Sequence, residues 1–254
     1  MRNIFIVAKN TFKLELRDKI LYGIIVFALL YIFFELFLAD LVLKELPMVK
    51  SFGLTGIYFF NAIIALFLGT TSFFKDVDRK VVYFILSKPV SRAQFLLGKF
   101  VGLCAVLLLT TAILGVAYLG LIAYNHGGFD ALGLLAIVMQ YLEMALFIAF
   151  ALFVSTFSSS LLSIVYTSAV FFLGHIVSSL VADAQVIGIT GIQYRFVQVF
   201  YYIFPNLEKF DVRALAIHNV AVPLTSFAFA LTYAVVYVAF LLAASVWIFT
   251  KKEI

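Results

Sequence analysis

Six long apolar runs constrain the fold of this chain more than any other feature of its sequence. They cover about 20–43, 52–74, 95–124, 131–157, 161–187 and 226–250. A helix needs about 20 apolar residues to cross the hydrocarbon core of a bilayer, and every run is long enough. Leu, Ile, Phe and Ala dominate without the two-residue alternation of barrel strands, which favours helices. The sequence therefore predicts an all-α integral membrane protein with six transmembrane helices.

The composition agrees with a membrane protein and indicates one domain. Hydrophobic residues make up 65% of the 254 residues, charged residues only 12%, and the mean hydropathy is +1.15. A soluble protein of this length would need far more polar surface. Because no polar linker, charge block or fixed-period repeat interrupts the chain, residues 1–254 are predicted to form a single transmembrane domain.

Few residues in the chain suit catalysis, metal binding or nucleic-acid binding. The net charge of +5 is explained by the excess of Lys and Arg on cytoplasmic loops, so no nucleic-acid partner is predicted. Cys104 is the single cysteine, which excludes an intrachain disulfide and a cysteine metal cluster. No catalytic motif of the HExxH or GxSxG type occurs. The sequence predicts no enzyme activity and no metal site.

The distribution of basic residues predicts the orientation. Six spans place both termini on the same side, and that side carries 13 of the 18 Lys and Arg residues, against 5 on the other. Cytoplasmic loops carry the excess of Lys and Arg. We therefore expect cytoplasmic N- and C-termini in a multi-pass membrane protein.

The first 19 residues predict an amphipathic helix on the inner membrane surface. Apolar residues recur at helical spacing at Phe5, Ala8, Phe12 and Leu16. A basic stripe runs along Lys9, Lys13 and Arg17, and Glu15 is spaced to pair with Lys19. Anionic membrane lipids attract each such cation by about 1 kcal/mol. The alternative is a basic tail that only sets the topology.

Charge is concentrated between residues 75 and 100, where Gly98-Lys99 raises the question of a phosphate-binding loop. That loop requires the pattern G-x-x-x-x-G-K-[ST] after a strand. Position 93 is Ala, position 100 is Phe, and no strand is predicted before them. The stretch is therefore not a nucleotide site.

The same stretch carries a family resemblance. Residues 86–102 read LSKPVSRAQFLLGKFVG, following a charged patch that contains Asp76 and Asp78. This resembles the first cytoplasmic loop of the permease subunits of type-2 ABC transporters, and it is closest to the NosY-like branch, which is associated with maturation of multicopper enzymes such as nitrous oxide reductase. In that family an acidic residue often follows the second span, and Asp76 or Asp78 would occupy that place.

The resemblance implies partners and roles for the loop. The chain would pair with a second permease copy as a homodimer and with separate ATPase subunits, which bind ATP and Mg²⁺ while this chain binds no cofactor. Residues 77–86 would form a short cytoplasmic coupling helix. Asp78, Arg79 and Lys80 would form its polar rim, and Val82, Phe84 and Ile85 would be its apolar anchors. Pro89 would end the helix.

The residues after Pro89 begin the third span. Ser91 is predicted to cap this helix, and Arg92 and Lys99 to reach phosphate headgroups. Gly98 and Gly102 form a GxxxG pattern that permits close approach of another helix. The alternative is an ordinary basic cytoplasmic loop.

Two ionisable residues fall near the centres of predicted spans, Glu143 in the fourth and His175 in the fifth. Ionisable groups inside a membrane are costly and are therefore functional candidates. They either hold helices together or line a route for substrate or ions.

Between residues 188 and 225, the face formed by Phe196, Phe200, Tyr201 and Phe204 predicts a short surface helix that ends at Pro205. This helix would be an exit lid for substrate or a structural cover.

We expect a permease subunit of an ATP-driven exporter. One alternative is an ion-coupled carrier that uses Glu143 and His175. Another is a membrane protein that transmits ATPase motion to an extracytoplasmic partner without moving a substrate.

Overall fold

The computed structural model describes residues 2–41, 45–78, 90–125, 128–186 and 192–251. Nine α-helices occur in these ranges: α1 Arg2–Glu15, α2 Lys19–Leu41, α3 Leu46–Asp78, α4 Arg92–Tyr124, α5 Ala131–Ser155, α6 Ser160–Val186, α7 Ile192–Ile203, α8 Arg213–Ile217 and α9 Leu224–Lys251. A 3₁₀ turn, Glu208–Phe210, precedes α8. The described residues contain no strand. The coupling helix was predicted over residues 77–86, but Val77 and Asp78 are the last residues of α3. The other residues predicted for this loop, Arg79, Lys80, Phe84 and Pro89, lie outside the described residues.

Six of these helices, α2 to α6 and α9, are long and apolar enough to cross a membrane, which confirms the predicted fold class. The second predicted span was too short, because α3 covers 33 residues from Leu46 to Asp78 rather than 52–74. Hydropathy did not predict the two ends of α3 because they contain charged residues, and the helix continues through three of them since each has an ionic partner. Lys50 lies 3.1 Å from Asp130, and Lys75 and Asp76 also have ionic partners.

The other spans differ from their predicted limits by smaller amounts. The helix α4 begins at Arg92, three residues before the predicted 95, because Ser91 caps it as predicted. The Ser91 side chain accepts from the Gln94 backbone N–H at 3.2 Å, and the Gln94 side chain accepts from the Ser91 N–H at 3.2 Å. This reciprocal capping box satisfies two backbone donors and fixes the start of the helix.

The helix bundle has two apolar clusters stacked along its length. One lies at the end where α1 and the C-terminus of α9 meet, which we call the terminal end, and contains Leu68, Phe95 and Phe249. The other lies toward the far end and contains Leu54, Tyr118 and Phe210. Among the described residues, the largest side chains that are at most 1% exposed include Tyr118, Phe95, Phe210 and Phe249. The clusters fix how the spans face one another at the two ends.

The N-terminal helix α1 packs against α4 rather than only on a lipid surface. A Cβ atom at Gly98 would lie 2.7 Å from Val7, and one at Gly102 would lie 2.7 Å from the Ala8 carbonyl oxygen. The GxxxG pattern therefore has α1 as its neighbour. Three residues of the predicted apolar face, Ala8, Phe12 and Leu16, are buried or pack against the terminal cluster, whereas Phe5 is 70% exposed. Val7 and Thr11 are also buried on the side that faces α4.

The predicted position of Arg17 and the predicted partner of Glu15 also differ from the structure. Arg17 lies beyond the end of α1 at Glu15, in the turn before α2, although it is exposed like Lys9 and Lys13. Glu15 contacts Lys75 at 3.6 Å and not Lys19. The reason is that α1 ends before Lys19, so the helical i, i+4 spacing is interrupted.

The predicted surface helix between residues 188 and 225 occurs as α7, which ends before Pro205. The residues that follow fold back among the spans. Leu207, Phe210 and Ala216 are buried in the far cluster, and the Leu207 N–H donates to the Gly174 carbonyl of α6 at 3.1 Å. We call residues 204–217 the re-entrant segment. It forms part of the core rather than only a surface cover.

Candidate functional site

The terminal end holds a group of ion pairs where α3 ends. Lys99 of α4 is 1% exposed and its ammonium contacts the Asp76 carboxylate. Lys75 contacts Asp18 in the turn between α1 and α2, and also Glu15 at 3.6 Å. The end of α3 is thereby joined to α1, to the start of α2 and to α4, immediately before residues 79–89.

The chain is anchored again where it returns from residues 79–89. Besides the Ser91 capping box, Arg92 donates through its guanidinium to the backbone carbonyls of Phe249 and of Thr250, the latter at 3.3 Å. Its guanidinium also lies 5.4 Å from the centre of the Phe249 ring. The last carbonyls of a helix carry partial negative charge, so a cation is favourable there. Arg92 thus joins the start of α4 to the end of α9.

These contacts correct the role predicted for Lys99, which is too deeply buried against Asp76 to reach a phosphate headgroup. The half-buried Arg92 contacts the helix end of α9, and its predicted contact with headgroups stays a prediction. The sequence pattern did not reveal either partner, because Asp76 and Phe249 are distant from them in the chain. Asp76 lies in the last turn of α3 rather than after it, and its partner Lys99 is within this chain.

A polar cluster lies among the spans. The Tyr58 hydroxyl of α3 donates to Glu143 Oε1 of α5 at 2.8 Å, and it lies 2.5 Å from His175 Nε2 of α6. His175 Nε2 is 3.0 Å from Glu143 Oε1. The structure therefore brings together the two residues singled out from the sequence, Glu143 and His175, with Tyr58 as a third member.

The re-entrant segment covers this cluster. Arg213 holds Asp211 through two side-chain hydrogen bonds of 2.8 and 2.6 Å, and its guanidinium lies 4.3 Å from the centre of the Tyr58 ring. Partial burial opposes ionisation of Asp211, but the hydrogen bonds and charge of Arg213 outweigh it and hold the pKa of this carboxyl below its usual 3.8. The Asp211–Arg213 pair thus remains ionised at neutral pH.

Tyr58 and Arg213 were missed in the sequence. Tyr58 is one of 13 tyrosines, and nothing in its neighbours marks it. One signal was available, because a buried Glu143 requires donors and a tyrosine hydroxyl in another span can supply one. Arg213 had no such signal, since its contact depends on the re-entrant fold of residues 204–217.

A second buried ionic group lies at the far end. Lys50 lies 3.1 Å from Asp130 Oδ1 and donates to Asn219 Oδ1 at 2.8 Å. Asp130 also accepts from the Tyr118 hydroxyl at 2.7 Å and from the Gly133 N–H at 3.0 Å, which caps α5. This group joins α3, α4, α5 and the residues before α9. In the sequence, the only signal that Asp130 caps a helix is its position immediately before an apolar run.

In the ranges that the structure describes, no three His, Cys, Asp or Glu side chains are grouped in a way that would hold a metal ion. An apolar groove of about 800 Å³ runs between α4, α5 and α9, lined by residues that include Phe100, Cys104, Tyr141 and Leu242. It contains none of the charged residues described above.

Six long apolar helices define a multi-pass membrane protein, and the matched family defines its class. The model of the ABC-2 family transporter protein matches residues 5–254, so the chain belongs to this family. Members are membrane subunits of ABC transporters, which work with an ABC ATPase subunit and typically have no nucleotide-binding domain of their own. The resemblance to ABC-2 permeases is thereby confirmed. Among curated proteins, no sequence matches the chain.

Proposed function

We propose that this chain is the permease of an ATP-driven exporter and that a separate ATPase subunit acts on it through residues 79–89. The observation that carries the proposal is the anchoring of both flanks of this segment. On one side Asp76 and Lys75 join it to α1, α2 and α4, and on the other Ser91 caps the start of α4 and Arg92 joins it to α9. A force applied to residues 79–89 would therefore reach five helices.

The proposed contact with the ATPase uses the loop residues that the family resemblance indicates. Asp78, Arg79 and Lys80 would form its polar rim and Phe84 its apolar anchor, with Pro89 ending the coupling helix. An aromatic anchor in a desolvated pocket typically contributes most to such an interface, whereas charges at the rim contribute little. ATP and Mg²⁺ would be bound by the ATPase and not by this chain.

The remaining parts of the proposal concern placement and partners. Both termini would lie in the cytoplasm of a bacterial or archaeal cell. On that side of the inner membrane, Lys9, Lys13 and Arg17 would face anionic lipid headgroups. A second copy of the chain would complete the permease as a homodimer. The NosY-like branch would add an extracytoplasmic partner to this assembly.

The test uses the full complex of permease and ATPase in lipid nanodiscs. We expect Phe84→Ala to reduce the amount of ATPase that co-purifies by at least about tenfold, because an interface anchor contributes about 2 kcal/mol or more. The matched control is Phe129→Ala, which removes a 77% exposed phenylalanine at the far end of the bundle. Equal ATPase recovery with both variants would contradict the proposal. Hydrolysis of ATP by the purified permease alone would contradict it as well.

The two alternatives predict different results in proteoliposomes. An ion-coupled carrier would transport without ATP and would stop when the proton gradient is removed, and membership of the ABC-2 family argues against it. A transmitter would show ATPase activity that depends on an extracytoplasmic protein, with no substrate movement. An exporter requires both ATP and movement of a substrate to the side opposite the ATPase.

A further inference from the structure

Three polar atoms form a closed triangle among α3, α5 and α6, and their hydrogens can be counted. The Tyr58 hydroxyl oxygen, Glu143 Oε1 and His175 Nε2 are separated by 2.8, 2.5 and 3.0 Å. Glu143 lies midway along α5 and its side chain is 1% exposed. Every hydrogen between these atoms must come from the three side chains themselves.

The histidine tautomer is fixed by a neighbour. His175 Nδ1 lies 2.8 Å from the Phe171 carbonyl oxygen. A carbonyl only accepts, so Nδ1 carries a hydrogen. In a neutral imidazole the other nitrogen, Nε2, is then a bare acceptor. Nε2 is the atom that faces both Tyr58 and Glu143.

With Glu143 ionised and His175 neutral, the triangle would contain a single hydrogen, that of the Tyr58 hydroxyl. It can serve only one of its two acceptors well, and no hydrogen would lie between Nε2 and the carboxylate oxygen at 3.0 Å. Two lone pairs at that distance repel each other, and a buried carboxylate without sufficient donors is costly. One added proton, on Nε2 or on the carboxyl group, removes this conflict.

We propose that Tyr58, Glu143 and His175 form a binding site for one exchangeable proton within the membrane-spanning part of the permease. With the proton bound, the site is neutral overall, either as a carboxylic acid with imidazole or as a carboxylate with imidazolium. Loss of the proton to water leaves one negative charge and breaks no covalent bond other than that to the proton. His175, whose side chain is 25% exposed, is the member through which the proton exchanges.

The charged and titratable groups that face the site are few within the described residues. The helix α3 contributes Tyr58, α5 contributes Glu143 and α6 contributes His175. The re-entrant segment contributes Asp211 and Arg213, which are paired with each other at 2.6 Å and so nearly cancel in charge. The remaining contacts are aromatic, with Phe171 at 4.7 Å between ring centres from His175. The proton is therefore the main variable charge of the site.

This proton holds three spans together, because it joins α5 to α6 while Tyr58 joins both to α3. Its release would place unshared electron pairs opposite each other and favour separation of α6 from α5. The inference goes beyond the proposed export function and does not depend on an ATPase. The full chain in lipid nanodiscs is sufficient to test it.

The experiment measures the protonation of His175 directly. Replacement of His126 and His218 by Gln leaves His175 as the sole histidine, which is labelled with ¹⁵N and observed by solid-state NMR from about pH 4 to about pH 10. Infrared difference spectra over the same range record protonated carboxyl groups and carboxylate stretching bands. We expect Nδ1 to keep its hydrogen while the Nε2 signal and the Glu143 carboxyl or carboxylate band change together, as one proton leaves the cluster.

The variant Glu143→Gln decides the proposal, because an amide donates to Nε2 without an exchangeable carboxyl proton. We expect the coupled infrared change to disappear and His175 to stay neutral over the same range. The matched control is Glu35→Gln, the same change at another glutamate that is 2% exposed, in which the Nε2 signal and the infrared band coupled to it should titrate as in the wild type. A histidine titration unchanged by Glu143→Gln would overturn the proposal.

If Glu143→Gln does not fold, two other measurements still test the proposal. In the wild-type chain itself, a change at Nε2 with no simultaneous change in either the carboxyl or the carboxylate bands would also overturn the proposal. Tyr58→Phe should retain the coupled, one-proton titration, since Glu143 and His175 still face each other. Loss of the titration in Tyr58→Phe, with the chain folded, would count against the triangle as the site.

Discussion

At the level of single residues, the pair of Lys99 and Asp76 illustrates how a charge is kept inside a membrane protein. Transfer of an ammonium group from water costs several kcal/mol, and the attraction of the partner carboxylate offsets that cost only when the geometry is good. Lys99 is 1% exposed, whereas the Asp76 side chain retains 12% of its surface. Loss of Asp76 would therefore leave a more deeply buried charge unpaired than loss of Lys99 would.

We expect Lys99→Met to lower the free energy of unfolding by about 3 kcal/mol, because Asp76 would remain charged in a mostly apolar place. The double variant Lys99→Met with Asp76→Asn should regain most of this loss. Unfolding by sodium dodecyl sulfate in mixed micelles measures both. Additive losses in the two single variants and the double variant would contradict the pairing.

Asp211 gives a prediction about pH. Its pKa is depressed below 3.8 in the folded chain, so its pairing with Arg213 stabilises the fold at neutral pH and loses that contribution only as the pH falls through the depressed value. Asp211→Asn should therefore increase hydrogen exchange of residues 205–217 at pH 7, with a difference from wild type that vanishes in strong acid.

The control for this prediction is Glu208→Gln, which changes an exposed glutamate of the same segment. It should leave the exchange of residues 205–217 unchanged. A difference between Asp211→Asn and the wild type that grows as the pH falls would contradict the assigned pKa direction.

At the level of helices, the packing of α1 on α4 depends on two positions without a side chain. At Gly98 an added Cβ would lie 2.8 Å from the Ile4 carbonyl oxygen, which belongs to the backbone and cannot rotate away. The two helices would have to separate. Close approach of backbones at small residues is the usual basis of helix association in membranes.

Gly98→Ala should therefore lower the free energy of unfolding by about 1–3 kcal/mol, the usual cost of excess volume in a packed site. Gly120→Ala, on the same helix, is the matched control because a Cβ there would meet nothing within 4 Å. It should be neutral or slightly stabilising, since Ala favours helix more than Gly does. Equal destabilisation of the two variants in mixed micelles would contradict the packing described for α1.

Hydropathy was sufficient to predict the number and kind of the spans, because the bilayer imposes length and apolar composition on each of them. It failed at the ends of α3, where Lys50 and Asp76 are neutralised by residues distant in the chain. It also did not reveal how residues 204–217 fold back, where Arg213 is paired with Asp211. The cost of charge in a membrane was enough to single out Glu143 and His175. It did not reveal Tyr58, whose role depends on the way α3 faces α5 and α6.

At the level of the whole molecule, the proposed orientation makes a prediction for chemical labelling. In a Cys104→Ala chain, a cysteine replacing the exposed Lys9 should react with a membrane-impermeant maleimide only from the cytoplasmic side. A cysteine replacing Phe129 should react only from the opposite side. Labelling of both positions from the same side would contradict a bundle in which they lie at opposite ends.

The length of α3 has a mechanical consequence. A helix of 33 residues is a rod about 50 Å long, longer than the hydrocarbon core it crosses, and Lys50 and Asp76 lie near its two ends. A tilt of about 10° around its midpoint would move each end by about 4 Å, more than the length of an ion-pair contact. The ion pair of Lys50 with Asp130 at one end and that of Asp76 with Lys99 at the other would then break or form in the same movement.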